Sequence, residues 1–294
     1  MTDTQETQNA KGIGLMIAAM LVFASQDGVS RYLAGEYNVI MVVMIRYWFF
    51  AAFVLALTTR QPGGIRATAA TPQLRLQLGR GALLALEICV MVYAFTLLGL
   101  VTSLAIFMVN PLLVAALSGP ILGEKVGWRR WAAVGVGFVG LLIILKPGLG
   151  VFDPNAIIAF AASLMFALYT MLTRYASRRD RAATSFFWTG VTGAIVMTII
   201  GPFFWEPMAP HDWGWMALLC VLGASGHWLL IKTYDIAEAS AVQPFAYLQL
   251  AFASMIGITV FGEVLQLNVA FGTALIVAAG LFTLFRERAR RRRG

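Results

Sequence analysis

Residues 18–34, AAMLVFASQDGVSRYLA, return 143 positions later as residues 161–177, AASLMFALYTMLTRYAS. Ala18/Ala161, Ala19/Ala162, Leu21/Leu164, Phe23/Phe166, Ala24/Ala167, Arg31/Arg174 and Tyr32/Tyr175 are identical across that offset. Toward the end of each half, Gly123-Glu124 returns as Gly262-Glu263 and Gly140-Leu141 as Gly280-Leu281. A chain written twice must fold so that both copies find a place. Each copy carries about five membrane-length apolar runs. An odd number of crossings turns the second copy upside down. Inverted repeats of helix bundles build alternating-access carriers.

Composition excludes an ordinary soluble domain: 60% of residues are hydrophobic, 12% are charged, and the mean hydropathy is +0.78. A spanning helix needs ~20 apolar residues at ~1.5 Å rise each. Ten segments qualify: 12–33, 38–58, 78–98, 101–122, 128–146, 155–175, 184–204, 213–234, 240–261 and 267–285. The expectation is an all-α membrane protein of ten transmembrane helices in two inverted five-helix repeats, 12–147 and 154–286. A tail, 1–11, precedes them and a basic tail, 287–294, follows. Connections are short apart from 59–77, with its Pro62-Gly63-Gly64 and Thr71-Pro72. The first apolar run is too long for a signal peptide and lacks a cleavage site after it.

The net charge of +8 acquires meaning once the basic residues are placed. With the N-terminus inside, 19 Lys and Arg fall on the cytoplasmic side, six of them between Arg286 and Arg293. Arg31 and Lys146 fall outside, and Arg46 lies within a span. Such a bias puts both termini in the cytoplasm. The tail then reads as a topology anchor on anionic lipid. No nucleic-acid recognition fold remains to use it. Cys89 and Cys220 lie in different spans and read as buried thiols.

Two motifs imitate chemistry. Gly135-Val-Gly137-Phe-Val-Gly140 has the letters of a dinucleotide fingerprint but lies inside an apolar helix, where small residues let neighbouring backbones approach. Gly223-Ala-Ser225-Gly226 matches the signature of rhomboid intramembrane serine proteases, with His227 beside it. Residues two apart on a helix point away from each other, so Ser225 and His227 form no nucleophile–base pair. The expectation is no enzyme, no metal and no cofactor.

Ionisable groups at bilayer depth are costly and mark candidate sites. Asp27, Arg46, Glu87 and His227 are of this kind, either as structural ion pairs or as coupling groups for a proton. Phe23, Gln26, Asp27 and Ser30 share one helical arc, and their repeat mates Phe166, Tyr169, Thr170 and Thr173 form another. Ser103, Phe107 and Asn110 share a face in the fourth segment, with Pro111 as a mid-helix bend. Ser240, Gln243 and Tyr247 do the same in the ninth, beside Pro244. The candidate substrate-binding set is Gln26, Asp27, Ser103, Phe107, Asn110, Tyr169, Thr170, His227, Gln243 and Tyr247. Glu124 and Glu263 read as structural, each favouring the positive end of the helix that follows it. Trp205, Trp213 and Trp215 read as an interfacial belt.

Residues 93–145 resemble the EamA repeat of the drug/metabolite transporter superfamily, through Pro111, Gly123-Glu124 and Gly140. The second copy, 232–285, keeps Gly262-Glu263 and Gly280 but has Leu250 in place of Pro111. Within the family the chain resembles bacterial inner-membrane exporters of aromatic and other neutral amino acids. That resemblance implies export of such amino acids through a midplane cavity between helices 1–4 and 6–9. Helices 5 and 10 would then lie at the periphery, their glycines against their own units. The residues themselves also fit a cationic or multidrug substrate, for which Asp27 or Glu87 supplies the acid. Oligomeric state is not encoded in any of these patterns.

Overall fold

The computed structural model describes residues 3–61, 63–122, 127–145, 153–237 and 242–291. All elements among them are helical: α1 (Asp3–Glu36), α2 (Val39–Thr59), α3 (Gly64–Ala69), α4 (Leu74–Phe107), α5 (Asn110–Leu122) and α6 (Trp128–Leu145). The second half gives α7 (Ala156–Ala176), α8 (Ala182–Ile200), α9 (Asp212–Ile236), α10 (Leu248–Phe261) and α11 (Leu267–Arg291), with 3₁₀ turns at Gly201–Phe204 and Gln243–Tyr247. Seven helical stretches are long and apolar enough to cross a membrane, and 110–122, 131–145 and 267–282 are shorter apolar helices. The described residues of each of the ten apolar segments fall mainly on helix. The small helix α3 lies in the connection that reads as loop from sequence.

Breaks within helices follow the repeat. Gly99 interrupts α4 at φ 81°, ψ 171°, so the third and fourth segments meet at one residue. Only glycine adopts that conformation without strain. A second break, at Met108–Val109, separates α4 from α5. Pro111 is therefore the second residue of α5 and not a bend inside a continuous helix. The reason is simple: the first turn needs no amide donor, so proline is tolerated there. Leu250 occupies the matching position, and α10 likewise starts just before it, after a 3₁₀ turn led by Gln243-Pro244. Both copies bend at one place, with proline supplied differently.

Packing crosses between the copies. α1 lies against α9 and α10, while α7 lies against α4 and α5. Exchanging the copies converts one set into the other. α2 pairs with α8, and α6 with α11, so each of these pairs maps onto itself. A pseudo-two-fold thus relates the contacts. The α6–α11 pair corrects the expectation that each last helix only buttresses its own unit. A Cβ built on Gly140 would stand 2.6 Å from the Gly272 carbonyl oxygen, and one on Gly272 2.4 Å from that of Gly140. Backbones meet there because neither residue has a side chain. Gly137 against Leu112 and Gly280 against Tyr247 do pack within their own units.

Polar contacts pin the ends of the bundle. Asp180 accepts hydrogen bonds from Thr71 Oγ1 and Gln77 Nε2, both at 2.7 Å. Asp212 accepts from Tyr37 at 2.7 Å and Tyr32 at 3.0 Å. In each case a connection in one copy is tied to the start of a helix in the other. Glu263 departs from expectation. Its carboxylate accepts from the Leu100 and Val101 amides, after the Gly99 break in the first copy, and pairs with Arg31. A helix start in the opposite repeat, not the one following it, receives its charge. Glu124 lies outside the described residues.

Candidate transport cavity

A cavity of about 110 Å³ lies between the two copies. α2 contributes Arg46, Tyr47 and Phe50, and α4 contributes Leu84 and Ile88. The second copy supplies Tyr169 from α7, Phe186 and Thr189 from α8, and Cys220, Gly223, Ala224 and His227 from α9. Spacings of three and four residues put these side chains on single helix faces. His227 packs against the rings of Phe23, Phe50 and Phe186 at centroid distances of 5.3, 5.7 and 6.3 Å. The glycines of α9 admit α1: a Cβ on Gly226 would stand 2.8 Å from the Phe23 ring, and one on Gly223 3.2 Å from Gln26 Oε1.

Charge gathers at Arg46. Its Nε stands 3.7 Å from the position a Gly223 Cβ would take, beside Gln26. Gln26 is buried, and its Oε1 has no hydrogen-bond partner among the described residues. Asp27 accepts from Gln249 Nε2 of α10 at 2.8 Å, and both it and Glu87 lie within electrostatic range of Arg46. Aromatic faces with one guanidinium and two carboxylates suit a flat ring joined to a charged head.

Of the candidate residues, Tyr169 and His227 line this cavity, and Gln26 and Asp27 stand beside it. Others are occupied elsewhere. Ser103 donates to the Ala94 carbonyl at 3.0 Å, bracing the Gly99 break. Asn110 Nδ2 donates to the Ser163 carbonyl at 3.0 Å, tying α5 to α7. Phe107 packs against the Phe166 ring at a tilt of 54°, and Thr170 donates to the Phe166 carbonyl in its own helix. Tyr247 fills the gap over Gly280. The Gln243 side chain and Ser240 lie outside the described residues. Ser225 donates to the Leu222 carbonyl at 3.1 Å and, among the described residues, is bonded to no base.

Sequence reading missed Tyr47, Phe50, Phe186 and Arg80. Arg80, counted among the cytoplasmic-side basic residues and standing at the start of the 78–98 segment, is fully buried. Its Nε donates to Gln77 Oε1 at 2.6 Å, its Nη2 reaches the Ser185 carbonyl, and its guanidinium lies 5.6 Å from the centre of the Tyr169 ring. The stripe Gln77, Arg80, Leu84, Glu87 and Ile88 along one face of α4 was the available signal.

Apolar helices in two copies around a cavity define an integral membrane carrier. The chain belongs to the EamA-like transporter family, which it matches twice, over residues 10–146 and 154–285. It is a multi-pass protein of the inner membrane. It is 26% identical over 291 residues to the S-adenosylmethionine uptake transporter of Rickettsia prowazekii, covering 98% of this chain and 97% of that one. It is 28% identical over 288 residues to the riboflavin transporter of Vibrio cholerae, covering 95% and 94%. A crystal structure superposes with a TM-score of 0.61 at 17% identity, over 97% of this chain and 99% of the other, a likeness of fold alone.

Proposed function

We propose that this carrier moves a ring-bearing metabolite with a charged, amino-acid-like head by alternating access, both termini facing the cytoplasm. The observation that carries the reading is the cavity wall: Tyr47, Phe50, Tyr169 and Phe186 around Arg46, with Asp27 and Glu87 near it. Rings hold the flat part of the substrate, Arg46 its carboxylate, and the acids its cationic group. At about 110 Å³ the cavity is below the ~300–1,000 Å³ usual for ligand pockets, so it takes the whole molecule only as the repeats rock apart.

Plain aromatic amino acids, the substrates implied by resemblance, have the same ring and head at smaller size. The relatives named for S-adenosylmethionine and riboflavin move the proposal toward larger ring systems. S-adenosylmethionine has ring, carboxylate and two cationic centres, and fits the charges of the site better than riboflavin, which has no charged head. Counterflow into proteoliposomes tests this with labelled S-adenosylmethionine, riboflavin and phenylalanine. S-adenosylmethionine should exchange fastest. Exchange of none of the three would reject the reading, and exchange of phenylalanine alone would return the substrate to the amino acids.

A further inference from the structure

On one side of the cavity, where the start of α4 meets the end of α7 and the start of α8, a polar layer is buried. Arg80 and Gln77 are fully enclosed, and Thr184 and Ser185 are 4% and 7% exposed. Arg80 donates to Gln77 Oε1 at 2.6 Å, to the Ser185 carbonyl, to Thr173 Oγ1 at 3.3 Å and to the hydroxyl of the cavity residue Tyr169 at 3.4 Å. Gln77 donates to Asp180 at 2.7 Å, so the layer runs from the cavity wall to the acid that ties this end of the bundle. The opposite end uses the corresponding places of the other copy. Leu219 and Met216 of α9 stand where α4 has Arg80 and Gln77, at the offset that relates Glu124 to Glu263. Met41 and Val42 of α2 stand where α8 has Thr184 and Ser185. All four are at most 1% exposed and belong to one apolar cluster with Leu33. Each end keeps an acid at its rim, Asp180 or Asp212, held by neutral donors at similar distances. The ends differ one layer deeper. Leucine and methionine fill these places in one copy, so packing does not demand a guanidinium and an amide in the other.

We propose that this difference sets the resting orientation of the carrier: without substrate, the Arg80 end opens to water and the Leu219 end stays shut. Parting the Leu219 layer brings apolar side chains into water with no compensating contact. Parting the Arg80 layer exchanges protein hydrogen bonds for bonds to water, which nearly balances. It also returns a buried guanidinium to hydration, and the desolvation of such a group rivals what its partners give back. Opening is therefore easier at the Arg80 end, which the topology proposed above places in the cytoplasm. Arg80 and Gln77 act here as positioning residues that touch no substrate themselves. Their release also frees the Tyr169 hydroxyl, so the cavity wall changes with the orientation. The inference rests on the alternating-access reading, and it names the side that the empty site faces.

The test uses purified full-length protein in lipid nanodiscs, free of substrate, in a background lacking Cys89 and Cys220. Spin-labelled cysteines in place of the exposed Arg75 and Arg181 report the Arg80 end, and in place of the exposed Gly35 and Trp213 the Leu219 end. Pulsed dipolar spectra should contain a longer-distance population for the 75/181 pair and a single closed distance for the 35/213 pair. Gln77→Met/Arg80→Leu installs the residues of the opposite end and should abolish the longer 75/181 population. Arg80→Lys keeps a buried cation and should retain it, which a role in packing alone does not foresee. A longer population for 35/213 instead, or for both pairs alike, would overturn the inference. So would its survival in a well-folded Gln77→Met/Arg80→Leu variant; if that variant fails to fold, the wild-type comparison of the two ends still decides. A single closed distance at both ends would overturn the inference as well. Failure of all three substrates in counterflow, by contrast, would remove the substrate reading and leave the resting orientation standing.

Discussion

Glu263 accepts the Leu100 amide proton at 2.7 Å, joining the end of the ninth apolar segment to the start of the fourth in the opposite repeat. The other carboxylate oxygen takes the Val101 amide at 2.8 Å, and Arg31, lying over the Phe261 ring, neutralises the charge. Hydrogen bonds to a charged group contribute ~1.5–3 kcal/mol each. Glu263→Ala should therefore destabilise the protein by several kcal/mol, and Glu263→Gln by about 1–3 kcal/mol, since an amide oxygen still meets one of the two donors. Gly99→Ala should also destabilise, because its φ is 81° and its Cβ would stand 2.8 Å from the Glu263 carboxylate. Thermal unfolding in detergent reads all three; a wild-type profile for Glu263→Ala would refute the clamp.

Arg46 is the one guanidinium on the described cavity wall. If it holds the substrate carboxylate, Arg46→Ala should weaken apparent affinity by ~10–100-fold or more, the equivalent of one charged hydrogen bond. Arg46→Lys keeps the charge but not the two-pronged geometry, and should recover part of the loss. Phe186→Ala removes ring contact and should act on ring-bearing substrates only. Concentration-dependent counterflow separates these outcomes, and unchanged affinity in Arg46→Ala would exclude it as the head-group ligand.

The glycine contact between α6 and α11 predicts size sensitivity. Gly140→Leu or Gly272→Leu places a side chain where the facing backbone already lies. Overpacking of this kind costs ~1–3 kcal/mol. Gly135→Leu is the control, for nothing stands within 4 Å of its Cβ position. Equal stability of all three variants would show that the pair does not hold these helices together.

Both termini are expected in the cytoplasm, on the strength of the basic residues. A single cysteine at position 8 or 294, in a background lacking Cys89 and Cys220, should resist impermeant maleimide in intact cells and react after permeabilisation. Labelling of intact cells at either end would invert the topology.

Much of the architecture was legible because its signals are local or periodic. Apolar runs mark the helices, the offset pairs mark the repeat, and Gly99 marks the hinge between two segments. Helical phase separated interior from lipid, but it could not tell one interior surface from another. Ser103 and Asn110 do face inward, yet each is committed to a neighbouring carbonyl. Phe50 and Phe186 were invisible for the opposite reason: among 20 phenylalanines, nothing local distinguishes a cavity wall from ordinary packing. Arg80 was passed over because it was counted only toward the charge bias, although it stands at the start of the 78–98 segment on the face that carries Glu87. Glu263 was assigned to the nearest helix start in sequence, when the nearest in space belongs to the other repeat.

The exchange of partners between copies also governs assembly. α1 emerges first from the ribosome, but its principal neighbours, α9 and α10, are among the last helices made. Until they arrive, Gln26 lacks the glycine face of α9 and Asp27 lacks the Gln249 amide. The first repeat must therefore wait in the bilayer, inserted but incompletely packed, as a client for whatever holds or degrades unfinished membrane proteins. Because the finished contacts run between copies, the halves have little cause to fold separately and much cause to find each other. Two polypeptides, cut between residues 147 and 153 and synthesised together, should assemble what neither can build alone.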